Sequence, residues 1–283
     1  MAIRIITDSA SDITQEEAAK MGIEVIPLTV TFGEESFRDG VTINHQEFFE
    51  KLIESDILPV TSQVSPFGYQ QVFEKGADEE KIICITLSSK LSGCYQSACI
   101  AAEEVNKNIC IIDSENVCIG ERILVEQAVR YSREKMTVEE ICTSLEKDKK
   151  NIRVIALLDT LEYLKKGGRI SKATAFAGDL LGIKPVITVE NGEVKLLGKA
   201  RGSRNGNNLL KTLTQRKPID FAKPFHLAYS GLSDIKLEKY ISDSQDLYPF
   251  SADKLPRCSI GSVIGTHVGP GAIAAAFFVD AKE

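Results

Sequence analysis

The chain has 283 residues, 43% of them hydrophobic and 26% charged, with a formal net charge of -6. That length suffices for two domains with cores of their own, and the acidic balance argues against broad binding to nucleic acid or to an anionic membrane, both of which need a basic face. Residues 1–6 run straight into a strand without a signal-peptide pattern, the longest apolar run (272–279) falls far short of the ~20 residues of a membrane span, and the seven cysteines contain no C-x-x-C pair. A cytoplasmic protein with reduced thiols, no transmembrane segment and no metal is expected.

In chain order, residues 3–7 read as a buried strand, and Thr14 with Glu17 forms a capping box for a helix ending near Gly22. Residues 23–32 are rich in β-branched side chains, and the turn Gly33-Glu34-Glu35-Ser36 predicts a hairpin. Asn44 with Glu47 caps a helix to about Ser55. In the next stretch, Leu58-Pro59-Val60-Thr61-Ser62-Gln63-Val64-Ser65-Pro66, Ser65 suits an N-cap and Pro66 the first helical position. Thr61 and Ser62 then stand just before the positive end of a helix running to about Gly76, an anion site without a charged side chain.

Residues 81–86 form another strand, leading into Ser88-Ser89-Lys90-Leu91-Ser92-Gly93, where serine and glycine again precede a helix. A strand at 109–112, a helix at 119–133 and a capping box at Thr137 and Glu140 follow. This alternation predicts a mostly parallel sheet covered by helices, with ligands beyond the carboxyl ends of its strands. Thr61 and Ser92 would both lie at that rim.

A first α/β domain is expected over residues 1–151 and a second, a mixed α/β sandwich, over 152–283. The second opens with a strand at 152–158 and a short helix stopped by Gly167-Gly168, which leaves Arg169 on a turn. A small-residue helix from Ser171 to about Leu181 comes next. Asn191-Gly192 then joins two strands in the clearest hairpin signal of the chain. Residues 200–204 introduce another helix, and 225–229 and 273–279 supply strands. Between the last two, His267 stands among Gly265, Gly269 and Gly271, a pattern that reads as a side-chain-poor loop able to approach a ligand.

No nucleotide motif is present: residues 192–200 fail the P-loop spacing, and Gly269-Pro270-Gly271 completes no dinucleotide fingerprint. G-x-S-x-G is also absent, which leaves a serine esterase or thioesterase built on Ser92 and His267 as the alternative. Of the other histidines, His45 is expected at the surface and His226 in the core. Arg169 and Arg201 each adjoin a turn glycine, where an arginine can grip a carboxylate or phosphate, although each taken singly fits a structural role better. Together with His267, Arg201 suggests a second anion position beside the hydroxyls.

Five ordered motifs carry a resemblance. Thr7-Asp8-Ser9-Ala10-Ser11-Asp12-Ile13, Val60-Thr61-Ser62-Gln63-Val64-Ser65-Pro66, Ser88-Ser89-Lys90-Leu91-Ser92-Gly93-Cys94-Tyr95-Gln96-Ser97-Ala98, Leu161-Glu162-Tyr163-Leu164-Lys165-Lys166-Gly167-Gly168-Arg169-Ile170 and His267-Val268-Gly269-Pro270-Gly271 together resemble the DegV family of bacterial fatty-acid-binding proteins. The resemblance covers essentially the whole chain. It implies a two-domain α/β protein that is not itself an enzyme and holds one long-chain fatty acid, such as palmitate, stearate or oleate, between its domains. The carboxylate would lie near Thr61, Ser62, Ser92, Gly93 and His267. In members that serve bacterial fatty acid kinase, an ATP-binding partner subunit phosphorylates that carboxylate to an acyl phosphate, and Arg201 and His267 would assist the transfer or the docked partner. Cys94 departs from the pattern, which often has threonine there.

Overall fold

The computed structural model describes residues 3–77, 80–170 and 182–280. Its first half comprises β1 (Ile3–Asp8), α1 (Gln15–Met21), β2 (Glu24–Ile26), β3 (Thr29–Phe32), β4 (Glu35–Arg38), α2 (His45–Glu54), β5 (Val60–Ser62), α3 (Pro66–Phe73), β6 (Lys81–Thr86), α4 (Cys94–Glu104), β7 (Asn108–Asp113), α5 (Ile119–Arg133) and α6 (Val138–Asp148). The second half adds β8 (Ile152–Leu157), α7 (Glu162–Lys166), β9 (Ile183–Glu190), β10 (Glu193–Arg201), α8 (Ser203–Thr214), β11 (Phe225–Tyr229), α9 (Ile235–Asp243), β12 (Arg257–Ser259), α10 (Ser262–Val268) and β13 (Ile273–Phe278). The expected helix at 171–181 lies outside the described residues.

The fold is mixed α/β. Strands β2-β1-β6-β7 form a parallel sheet, and β10-β9-β8-β13-β11-β12 form a mixed one. In the parallel sheet Ile5 and Ile6 of β1 stand opposite Ile83 and Cys84 of β6, and these continuous apolar strands are buried on both faces. Helix α5 lies between the two sheets, packing on β1 and β6 from one side and on β8, β11 and β13 from the other. Several of its polar side chains are paired: Thr7 donates to Glu121 at 2.9 Å, Arg122 meets Glu17, and Glu126 lies 2.9 Å from His226. One apolar core therefore runs through both sheets. A second covers the opposite face of the mixed sheet beneath α8 and α9.

The capping boxes at Thr14, Asn44 and Thr137 form as their spacing predicts. Four features differ from the sequence reading. Val60–Ser62 is a strand, not a free loop: it pairs antiparallel with β3 and completes a small β4-β3-β5 sheet. His267 lies in the last turn of a helix. That helix tolerates Gly265 because a Cβ there would stand 2.6 Å from Phe48 and 2.9 Å from Phe49, so close packing outweighs glycine's poor propensity. His45 is not a plain surface residue, since its ring nitrogens lie 2.7 Å from the Ile260 carbonyl and 2.9 Å from that of Gly231. Finally, Cys110 of β7 and Cys142 of α6 form a disulfide, against the expectation that every thiol is free. The sequence offered no spacing signal for it because the pair is brought together only when α6 packs on β7.

Candidate functional site

Thr61 is the middle residue of β5, where its backbone pairs with Val30, so strand geometry fixes its side chain. Its Oγ1 lies 3.0 Å from Nε2 of His267, which joins β5 to the end of α10. Beside the imidazole passes Gly167, just after α7; a Cβ there would stand 2.3 Å from Nδ1 of His267. Gly167 offers its carbonyl to Arg169 Nη1 at 2.6 Å, and Arg169 Nε donates to the Leu91 carbonyl at 3.1 Å. Leu91 leads into Ser92 and Gly93. A Cβ on Gly93 would strike the Gln63 side chain at 2.0 Å, and Gln63 follows Ser62 and Thr61. These contacts close a ring of polar groups drawn from β5, α10, the turn after α7 and the start of α4.

Inside the ring lies a cavity of about 350 Å³ whose walls are mainly apolar, among them Leu28, Val154, Ala156, Ile187, Val189 and Ala274. Thr61, Ser62, Ser92, Gly93, Arg169 and His267 all line it. Alternation along β8 sends Val154 and Ala156 to this face, and Ala156 stands opposite Ala274 in the register with β13. Two facing alanines leave room that larger side chains would fill. Outside the ring is a second cleft, about 660 Å³, lined by residues 56–61, Tyr163, Lys166, Gly167 and Thr266. It shares Thr61, Arg169 and His267 with the cavity, so those three side chains form the partition between interior and surface.

The electrostatics of the partition are defined by one cation and one neutral imidazole. Burial, and then the nearby Arg169 guanidinium, pushes His267 down to about 4. Its ring is therefore uncharged at neutral pH, and buried Nδ1 has no hydrogen-bond partner among the described residues. Ser92 Oγ accepts from the Cys94 N–H at 3.3 Å and donates toward Cys94 Sγ at 3.4 Å. His267 engages Thr61 rather than Ser92, so the pairing needed by the esterase alternative is not formed.

The structure thus brings Thr61, Ser62, Ser92, Gly93 and His267 to one rim. It does not bring Arg201 there: that residue is exposed at the end of β10, opposite Ile183 and outside the lining. The arginine beside His267 is Arg169, which the sequence marked by its place on a glycine turn and within the motif 161–170. Gln63 and Gly167 stood in quoted motifs but gave no sign of these contacts, because their roles exist only once the strand and the turn meet.

Three comparisons relate this chain to known proteins. The DegV family model, described as "Uncharacterised protein, DegV family", matches residues 2–280. A DegV domain-containing protein of Caldanaerobacter subterraneus subsp. tengcongensis is 36% identical over 280 residues, covering 98% of each chain. Among solved structures, a DegV family protein from Thermus thermophilus described for its fatty acid binding has a TM-score of 0.83 at 30% identity, over 99% of this chain and 100% of that one. A stearic-acid-binding protein from Eubacterium ventriosum has a TM-score of 0.86 at 28% identity, over 98% of each chain. With a fold shared end to end and the family model matched over nearly its whole length, this chain belongs to the DegV family.

Proposed function

We propose that this protein binds one long-chain fatty acid, with the tail in the cavity and the carboxylate at the polar ring, and presents that carboxylate to an ATP-dependent kinase partner. The observation that carries the reading is the partition: an apolar cavity ends at Thr61, Arg169 and His267, and the same three side chains face an outer cleft. Transfer of a methylene from water is worth about 0.8 kcal/mol, so the tail supplies most of the affinity and the ring has only to orient the head group.

The hydrogen bonds at the ring favour an ionised head group. A carboxylate only accepts, so Thr61 must turn its O–H toward the ligand and accept in its turn from His267. That assigns the imidazole proton to Nε2, and buried Nδ1 then carries a lone pair rather than an orphaned N–H. Ser92 donates to the second carboxylate oxygen, and Arg169 balances the charge. In the partner's active site a carboxylate oxygen would attack the γ-phosphorus of ATP, the bond to ADP would break, and an acyl phosphate would form. Arg201, exposed and outside the lining, would serve the docked partner rather than the lipid.

Solvent extraction of purified protein followed by mass spectrometry should recover fatty acid, and Thr61→Val should weaken oleate binding by about 1 to 3 kcal/mol through loss of a buried hydrogen bond. Arg201→Ala should keep lipid affinity yet lower acyl phosphate formation with the cognate kinase. No recovered lipid together with no binding of added oleate or palmitate would overturn the proposal.

A further inference from the structure

We infer that Asp12 and Asp39 are positioning residues for His267: both side chains hold the start of α10 and thereby set where the imidazole meets Thr61. The inference rests on the fatty-acid reading and extends it to residues remote from the cavity lining. Asp12 ends the turn after β1, Asp39 follows β4, and both are buried. The Gly261 N–H donates to Asp12 Oδ1 at 2.8 Å, and the Ser262 N–H donates to Asp39 Oδ1 at 3.0 Å. The Ser262 hydroxyl donates to the same Asp39 oxygen at 2.5 Å. Both carboxylates crowd one residue, since a Cβ on Gly261 would lie 3.0 Å from Asp12 and 3.3 Å from Asp39.

Helix α10 has no side-chain cap of its own and spans only seven residues. A helix that short does not stand alone in water, so its first N–H groups need outside acceptors. His45 adds a third restraint on the same approach, its Nδ1 lying 2.7 Å from the Ile260 carbonyl. The far end of the helix is then fixed by the 3.0 Å bond from His267 to Thr61. A slip of one residue along the axis, about 1.5 Å, would take Nε2 out of reach of that hydroxyl.

The test compares the full, delipidated chain binding oleate and oleyl alcohol, two ligands with the same tail and different heads. Asp39→Ala should lower oleate affinity more than about tenfold and leave oleyl alcohol within about twofold, the difference being that of a head-group hydrogen bond. The ring resonances of His267, one of three histidines, should move in that variant. Asp39→Asn keeps an oxygen to accept from Ser262 and should restore most of the affinity. Ser262→Ala, which removes only the hydroxyl donor, should give a weaker version of the same pattern and serves if Asp39→Ala does not fold. Equal loss for both ligands, or unchanged His267 signals with unchanged oleate affinity, would overturn the positioning role. Failure of the wild-type chain to bind either ligand would instead overturn the fatty-acid reading on which it rests.

Discussion

At the scale of single residues, the candidate site sets neutral hydrogen-bonding groups beside one cation. His267 is lowered to about 4 from 6.5, first by burial and then by Arg169. Between those two values the unfolded chain binds more protons here than the native protein does, so this residue adds stability as pH rises through the window and loses it as pH falls. His267→Gln should abolish that contribution: the stability of the wild type relative to the variant should rise from about pH 4 to about pH 6.5 and stay level above it. Denaturant midpoints across that range would check it, and a constant difference would mean that the imidazole is not depressed. The hydroxyls of this site were legible in the sequence because Thr61, Ser62 and Ser92 stand at breaks between apolar elements. Arg169 was legible only as one of two candidates, since one arginine beside a glycine resembles any solvated surface charge until its guanidinium meets Leu91 and Gly167.

At the scale of elements, capping boxes and alternating apolar runs located most helices and strands, because those signals are local. The errors fall where tertiary contact overrides local preference. Glycines around His267 read as a loop, yet Gly265 is small because α10 packs its backbone against Phe48 and Phe49, two fully buried rings. Likewise Val60–Ser62 looked like a lead-in to a helix, and becomes a strand only because β3 offers an edge. Gly265→Ala tests the account. Helix propensity alone would favour alanine by up to about 1 kcal/mol, whereas overpacking a filled site costs about 1 to 3 kcal/mol. The variant should therefore be less stable, with a lower denaturant midpoint at an unchanged slope, and should bind oleate less well as α10 is pushed from Thr61. A variant as stable as the wild type would mean that the aromatic pair yields at little cost.

At the scale of the whole molecule, the alternation of strands and helices was enough to predict a mostly parallel first sheet and a mixed second one, but not the way they face each other. That arrangement depends on α5, which packs on strands of both sheets. The cavity follows from it: β8 and β13 turn Ala156 and Ala274 toward the space beyond α10, and alanines there leave it unfilled. An apolar cavity of about 350 Å³ is a poor place for water, because its walls offer few hydrogen bonds. Filling it with an acyl chain should therefore stabilise both sheets at once, since the same core runs through them. Ligand at a hundred times its dissociation constant adds about 2.7 kcal/mol, which for a chain of this size raises the melting temperature by about 4 to 5 °C. Delipidated protein should thus melt lower than protein reloaded with oleate, and a short acid such as decanoate should restore less of the difference at the same concentration. Calorimetry on the three samples decides the matter, and identical melting temperatures would place the acyl chain outside the core.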